Sequence, residues 1–167
     1  MSTIVLPEQR AAVGREGRGL EVVLSSAATG GTAAVMACTV PAATAGPPVH
    51  VHPASDETLF MLSGALLIYI DGRVTGITEG GLVHISRGTP HTFATPGDCA
   101  ARFLAFHTPG GFEGFHVAAA RAEQECGGPL SRDELIALAQ GFDWQLVGPP
   151  LLPTGDLLLA AEARRVG

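Results

Sequence analysis

A chain of 167 residues, 46% hydrophobic and with a formal net charge of −6, is long enough for one domain with a proper core. Its apolar residues are broken up by Gly, Pro and Thr, so nothing approaches the ~18 consecutive apolar residues that a membrane-spanning helix needs. All ten basic residues are Arg, spread singly except for Arg164–Arg165. That excludes Schiff-base lysine chemistry and a P-loop, and it leaves no basic stripe to track nucleic-acid phosphates.

The N-terminus, MSTIVLPEQR, has neither the basic start nor the apolar run of a signal peptide, so a cytoplasmic location is expected. Cys38, Cys99 and Cys126 are odd in number and lack CxxC spacing, against both a disulfide scaffold and a thiolate zinc site. Buried structural thiols are expected instead. The chain has no Asn, and Asp71–Gly72 is its best tight hairpin turn.

In chain order, residues 1–19 are polar and read as an arm or edge strand. Short strands are then expected at Leu20–Ser26, Thr32–Val40, Val49–His52, Glu57–Leu62, Ala65–Ile70, Leu82–Ser86, His91–Thr95 and Ala101–Phe106. Gly, Pro or Asp clusters separate them: Thr29–Gly31, Ala45–Pro48, Ser63–Gly64, Glu79–Gly81, Arg87–Pro90 and Pro96–Asp98. Many short strands with turns between them indicate an antiparallel sandwich or barrel.

Helix formers dominate Val117–Cys126, and Ser131-Arg-Asp-Glu134 is a capping box ahead of Leu135, Ile136 and Leu138. Gly148-Pro149-Pro150 is read as the close of the ordered part, with a last short helix expected at Leu157–Arg165. No internal repeat or second core is evident. The organisation expected is one domain over residues 20–150, helices included, followed by a tail over 151–167.

The chemistry concentrates around four residues. In a strand, side chains alternate faces, so His50 and His52 point the same way, ~7 Å apart, while Val49 and Val51 face the other side. The Pro53–Asp56 turn swings the chain back, and Glu57 opens a strand whose same-face residues are Leu59 and Met61. His91 opens another strand after the Arg87–Pro90 turn. Three neutral nitrogens and one anionic oxygen suit Fe, Mn, Ni, Co, Cu or Zn and leave coordination positions open. Taken singly, an HxH pair reads equally as hydrogen-bonded core histidines, Glu57 as a solvated strand residue and His91 as a turn residue.

The frame around them decides. Gly46-(3)-His50-x-His52-(4)-Glu57-(6)-Gly64 resembles the first cupin motif, and Gly80-(5)-Ser86-x-Gly88-(2)-His91-(3)-Thr95 resembles the second. Gly64 and Gly88 fall where tight turns favour backbone conformations that other residues resist. The gap between the motifs, Ala65 to Glu79, reads as a short hairpin. Similarity continues through Arg102–Phe115 and the Gly148-Pro-Pro150 tail, where the chain is similar to single-domain cupins of the quercetin-dioxygenase-like subgroup. Three features depart from the pattern: a first spacing of three residues, and Ser86 and Thr95 where Pro and Asn are usual. None is a ligand position.

The resemblance implies a mainly β protein, a single-domain cupin β-barrel (jelly roll, double-stranded β-helix) with C-terminal helices. It implies one divalent metal ion on His50, His52, Glu57 and His91, a small-molecule substrate, and a homodimer whose exchange surface lies near Leu20–Ser26. The activity implied is a metal-dependent dioxygenase acting on a polyphenolic or enol-type molecule, with Glu57 as the base that removes a substrate hydroxyl proton. A non-redox aromatic polyketide cyclase or isomerase, and a non-catalytic small-molecule binder, are the alternatives on the same scaffold. By alternation Leu59, Met61, Phe93 and Thr95 share a face with the ligands and either line a substrate pocket or form ordinary barrel core. Asp56 is expected to point away. His84, His107 and His116 are expected to pack or face solvent rather than to bind the ion.

Overall fold

Two antiparallel sheets carry the chain in the computed structural model, which describes residues 2–13 and 19–157. After a 3₁₀ turn at Pro7–Gln9 come β1 (Ala11–Val13), β2 (Gly19–Leu24), a single-turn helix α1 (Ser26–Thr29) and β3 (Ala34–Val40). The motif region supplies β4 (Pro48–Val51), β5 (Asp56–Ser63), β6 (Ala65–Ile70), β7 (Arg73–Thr78), β8 (Leu82–Ile85), β9 (His91–Ala94) and β10 (Ala101–Thr108). Helices α2 (Glu113–Cys126) and α3 (Arg132–Ala139) and a last strand β11 (Gln145–Pro150) complete it. Among the described residues no helix is long and apolar enough to cross a membrane.

One sheet has the order β1-β2-β3-β10-β5-β8 and the other β11-β4-β9-β6-β7. From β3 onward the chain passes from sheet to sheet at every strand except within the β6–β7 hairpin, which is the winding of a double-stranded β-helix. Strand alternation fills the space between the sheets: Leu59 and Met61 of β5, Leu66 and Ile68 of β6, and Phe103 and Ala105 of β10 are all buried there. Helices α2 and α3 extend this core at one mouth of the barrel through Phe112, Phe115 and Ala139.

Three turns show where positive φ makes glycine necessary. The Asp71–Gly72 turn takes φ 45 and 87, the double positive-φ turn that matches strand twist in a hairpin. Gly64 has φ 75, and a Cβ there would lie 2.0 Å from the Ala100 carbonyl oxygen. Gly88 likewise adopts φ 77, and its N–H donates to the His52 carbonyl at 2.9 Å, tying the second motif to the first.

Several elements differ from the expectation. Strand β2 stops at Leu24, because Ser25 caps α1 by accepting from Ala28 N and Gly30 ends that turn with φ 65. Helix α2 starts four residues before Val117: Phe112 and Phe115 pack onto Phe142 and Trp144, and this tertiary packing outweighs the weak helix propensity of Gly114. The Ser131 capping box forms as expected, with Ser131 N donating to Glu134 Oε2 at 2.7 Å.

Residues Gln145–Pro150, read as the close of the ordered part, form a strand. It is an edge strand, where a proline's missing N–H costs no ladder bond on the open side. Leu157 makes a bridge to Leu151, and the rest of the helix expected at Leu157–Arg165 lies outside the described residues. All three cysteines are free; Cys38 and Cys99 are half-buried and Cys126, at the end of α2, is exposed, so none is the fully buried thiol expected.

Candidate metal centre

The two motifs meet because β4 and β9 are neighbours, with His50 opposite His91 in the register. Glu57 comes from β5 in the facing sheet. His50, His52, Glu57 and His91 are 5%, 2%, 8% and 3% exposed, so all four groups face the interior. One ligand atom from each lies within 4.8 Å of all the others. Atoms bound to one ion at about 2.1 Å sit at most about 4.2 Å apart, so the observed envelope is a small side-chain adjustment from a coordination shell.

Each ring is held from behind. His50 Nδ1 pairs with the Pro48 carbonyl at 2.8 Å, His91 Nδ1 with the Thr89 carbonyl at 2.8 Å, and His52 Nδ1 with the Asp143 carbonyl. A carbonyl only accepts, so in each ring Nδ1 carries a hydrogen; Nε2 of His50 and of His52 is left with a lone pair for a cation, and Nε2 of His91 offers one when the proton it shares with Glu57 leaves. His52 Nε2 is buried without any hydrogen-bond partner. A buried nitrogen without a protein partner, at the meeting point of three rings and a carboxylate, is suited to bind a cation. The donor set therefore fits a divalent ion.

The Asp143 contact reaches across from the segment between α3 and β11. Besides accepting from His52 through its carbonyl, Asp143 accepts from Ala54 N at 2.8 Å and from the Ser55 hydroxyl at 2.6 Å through its carboxylate. It thus fixes both the ring and the turn that leads to Glu57. Trp144 follows, its ring 5.6 Å from that of His50.

Electrostatics match a cation site. Burial, followed by the field of His91, pushes His50 down to about 3, and burial is also the main reason that His52 is lowered. Burial opposes the charge on Glu57, yet its hydrogen bond with His91 and the neighbouring His107, His91 and His52 rings hold its carboxyl well below the usual range. Burial works against protonation of His91 too, but Glu57 outweighs it and the net shift is upward. His91 Nε2 lies 2.8 Å from Glu57 Oε2, where a shared proton and a metal ion compete for the same lone pairs.

The other residues singled out from the sequence fall into place around this centre. Leu59 and Met61 are each 1% exposed within the barrel cluster, and Phe93 packs against that cluster edge-on to Phe103. Thr95 is fully buried, but its hydroxyl donates to the Pro41 carbonyl at 2.6 Å and accepts from Thr44 N at 2.9 Å, tying down a loop. Asp56 points away, bound to Arg87 Nε and Nη2 at 3.1 and 3.0 Å. A cavity of about 250 Å³ is walled by Ala54, Ser55, Phe112, Phe142 and Asp143, of which Phe112 and Asp143 touch His52.

His84 is exposed and pairs with the Thr58 hydroxyl, and His116 packs on Phe112 and Phe115. His107 is the residue whose place the sequence reading understated. It has no exposure at all, stands opposite Glu57 in the β10–β5 register, and its Nε2 lies 3.5 Å from Glu57 Oε1. The signal was present: Ala101, Phe103 and Ala105 alternate inward, and one more step puts His107 on the same face.

A two-sheet antiparallel barrel with a histidine-rich centre facing its interior defines a class of small metal-binding barrels. Residues 36–107 match the cupin domain family model, a stretch that contains both of the motifs described above. Solved structures agree on the fold. An uncharacterised protein with a double-stranded β-helix domain from Klebsiella pneumoniae is 21% identical, with 66% of this chain and 92% of that chain covered and a TM-score of 0.52. A cupin protein from Bacteroides fragilis is 25% identical over 62% of this chain and 85% of that one, at a TM-score of 0.50. The polyketide cyclase RemF from Streptomyces resistomycificus is 20% identical over 65% and 80%, at a TM-score of 0.53. No curated protein sequence matches the chain.

Proposed function

We propose that this protein is a metal-dependent cupin dioxygenase that acts on a polyphenolic or enol-type small molecule. The observation that carries the reading is the set of three rings, each held by a carbonyl at Nδ1, converging with Glu57 in the barrel interior. Four protein ligands leave positions open on an ion that accepts five or six, which is the mark of a site for chemistry rather than a closed structural site. When bound, a divalent ion supplies Lewis acidity that favours the ionised form of a substrate hydroxyl. Glu57, kept ionised by the rings around it, is the side chain placed to take that proton. Phe112, Phe115, Phe142 and Trp144 form an aromatic cluster that touches the His50 and His52 rings, so the surroundings of the centre are apolar and aromatic, as suits a planar substrate.

A second reading, an aromatic polyketide cyclase or isomerase, is favoured by the same aromatic cluster, and RemF, one of the proteins that share this fold, is a polyketide cyclase. Oxygen dependence separates the two. The protein, loaded in turn with Fe(II), Mn(II), Ni(II) and Co(II), is assayed with a panel of flavonols and polyphenols for product and for oxygen uptake. The dioxygenase reading predicts substrate loss matched by oxygen uptake and abolished under anaerobiosis. Turnover undiminished without oxygen supports the cyclase or isomerase instead. Tight ligand binding with no turnover under either condition would leave a non-catalytic binder.

A further inference from the structure

We propose that His107 is a positioning residue of the metal centre: its buried ring faces one oxygen of Glu57 and biases the carboxylate so that the other is presented to the ion. This inference rests on the metal reading given above. The two oxygens of Glu57 face different groups. Oε2 lies 2.8 Å from His91 Nε2 and 3.8 Å from His52 Nε2, on the side where the candidate ligand atoms gather. Oε1 faces His107 Nε2 at 3.5 Å. A carboxylate free to rotate offers both oxygens in turn, whereas the pull of a ring N–H facing Oε1 favours the rotamer that turns Oε2 to the ion.

The cost of keeping a histidine here argues for a purpose. Its inward neighbours on β10 are Ala101, Phe103 and Ala105, all apolar, and position 107 is fully buried. Both ring nitrogens of His107 lack a hydrogen-bond partner. Leaving buried polar atoms unpaired opposes folding, and an apolar side chain of similar size would avoid it. The ring cannot swing out to find water, because it is packed between His52, with ring centroids 5.0 Å apart, and Phe112, at 4.9 Å. An imidazole N–H placed on Nε2 points toward Glu57 Oε1, which lies opposite it in the β10–β5 register. Nor is His107 a fifth ligand: the group of mutually close ligand atoms consists of His50, His52, Glu57 and His91 alone among the described residues.

The test compares the wild type with H107L, H107F and H107Q, measuring Co(II) affinity by chelator competition, the visible spectrum of the Co(II) form, and the melting temperature of the metal-free protein. A positioning role separates stability from binding. The apolar variants are expected to melt, metal-free, close to the wild-type temperature, since the loss of two nitrogens without hydrogen bonds offsets the loss of the ring beside Glu57, while Co(II) affinity falls about 10- to 100-fold and the spectrum changes. H107Q, which keeps an N–H donor toward Oε1, is expected to recover affinity to within about threefold of wild type. Wild-type affinity and spectrum in either apolar variant would overturn the proposal, as would H107Q binding no better than H107L. Failure of both apolar variants to fold would also overturn it, because His107 would then be a structural requirement. A wild type that takes up no Co(II) removes the metal reading itself, and this inference with it.

Discussion

Asp143 offers the sharpest probe of how the rest of the chain supports the centre, because it lies outside the residues that match the cupin family model. Replacing it with Ala removes two hydrogen bonds, from Ala54 N at 2.8 Å and from the Ser55 hydroxyl at 2.6 Å. A bond from the buried Ser55 to a charged acceptor contributes roughly 1.5–3 kcal/mol, and the exposed bond to Ala54 less, because water competes for it. The sum, about 2–4 kcal/mol, corresponds to a fall in Tm of roughly 5–15 °C for a domain of this size. The carbonyl that holds His52 Nδ1 survives in D143A, but on a segment that is less firmly anchored, so Co(II) affinity is expected to fall about tenfold. D143N, whose amide oxygen can accept from Ala54 N and whose NH₂ can donate to Ser55, should lose about half the stability change. Differential scanning calorimetry and chelator competition read the two effects. The reasoning is refuted if D143A melts within about 1 °C of wild type and binds Co(II) equally well.

Two further outcomes follow from the same structure. For the metal-free protein, His50, lowered to about 3 from 6.5, and His52 and His107, both also lowered, bind fewer protons folded than unfolded below pH 6.5. Stability therefore falls as the pH drops below 6.5. Glu57, lowered, adds to the loss at still lower pH, while His91, raised, opposes it. Three groups against one predict a Tm that declines from pH 6.5 to pH 5, and a flat or rising Tm contradicts the burial of these rings. Gly64→Ala places a Cβ 2.0 Å from the Ala100 carbonyl oxygen at a φ of 75, so it should destabilise the fold by more than about 1 kcal/mol in urea unfolding, and wild-type stability would contradict the turn geometry.

How much of this was legible in the sequence depended on whether the signal was local. His50, His52, Glu57 and His91 could be read because strand alternation and motif spacing set their facing directions, and the sheets then bring them together. Strand β6 could be read residue for residue, bounded by Gly64 and by the Asp71–Gly72 turn. Other features depend on contacts far apart in the chain. Asp143 lies about ninety positions from His52 and binds it through a backbone carbonyl, which no side-chain pattern announces. Strand β11 was hidden by Pro149 and Pro150, residues that close most strands but are tolerated at an open edge. His107 lay one residue beyond the expected end of its strand, and strand ends are where the alternation rule is easiest to stop too soon. Leu59 and Met61 illustrate a different limit, since a pocket wall and a packed core share one composition.

The central claim, that His50, His52, Glu57 and His91 hold a single divalent ion, is tested most directly by metal content. Protein reconstituted with Co(II), Ni(II) or Mn(II), freed of excess and analysed by atomic emission, should retain one ion per chain. H50A and H91A, shown to be folded by circular dichroism, should retain almost none. A folded wild type that keeps no ion, or variants that keep a full complement, would contradict the account.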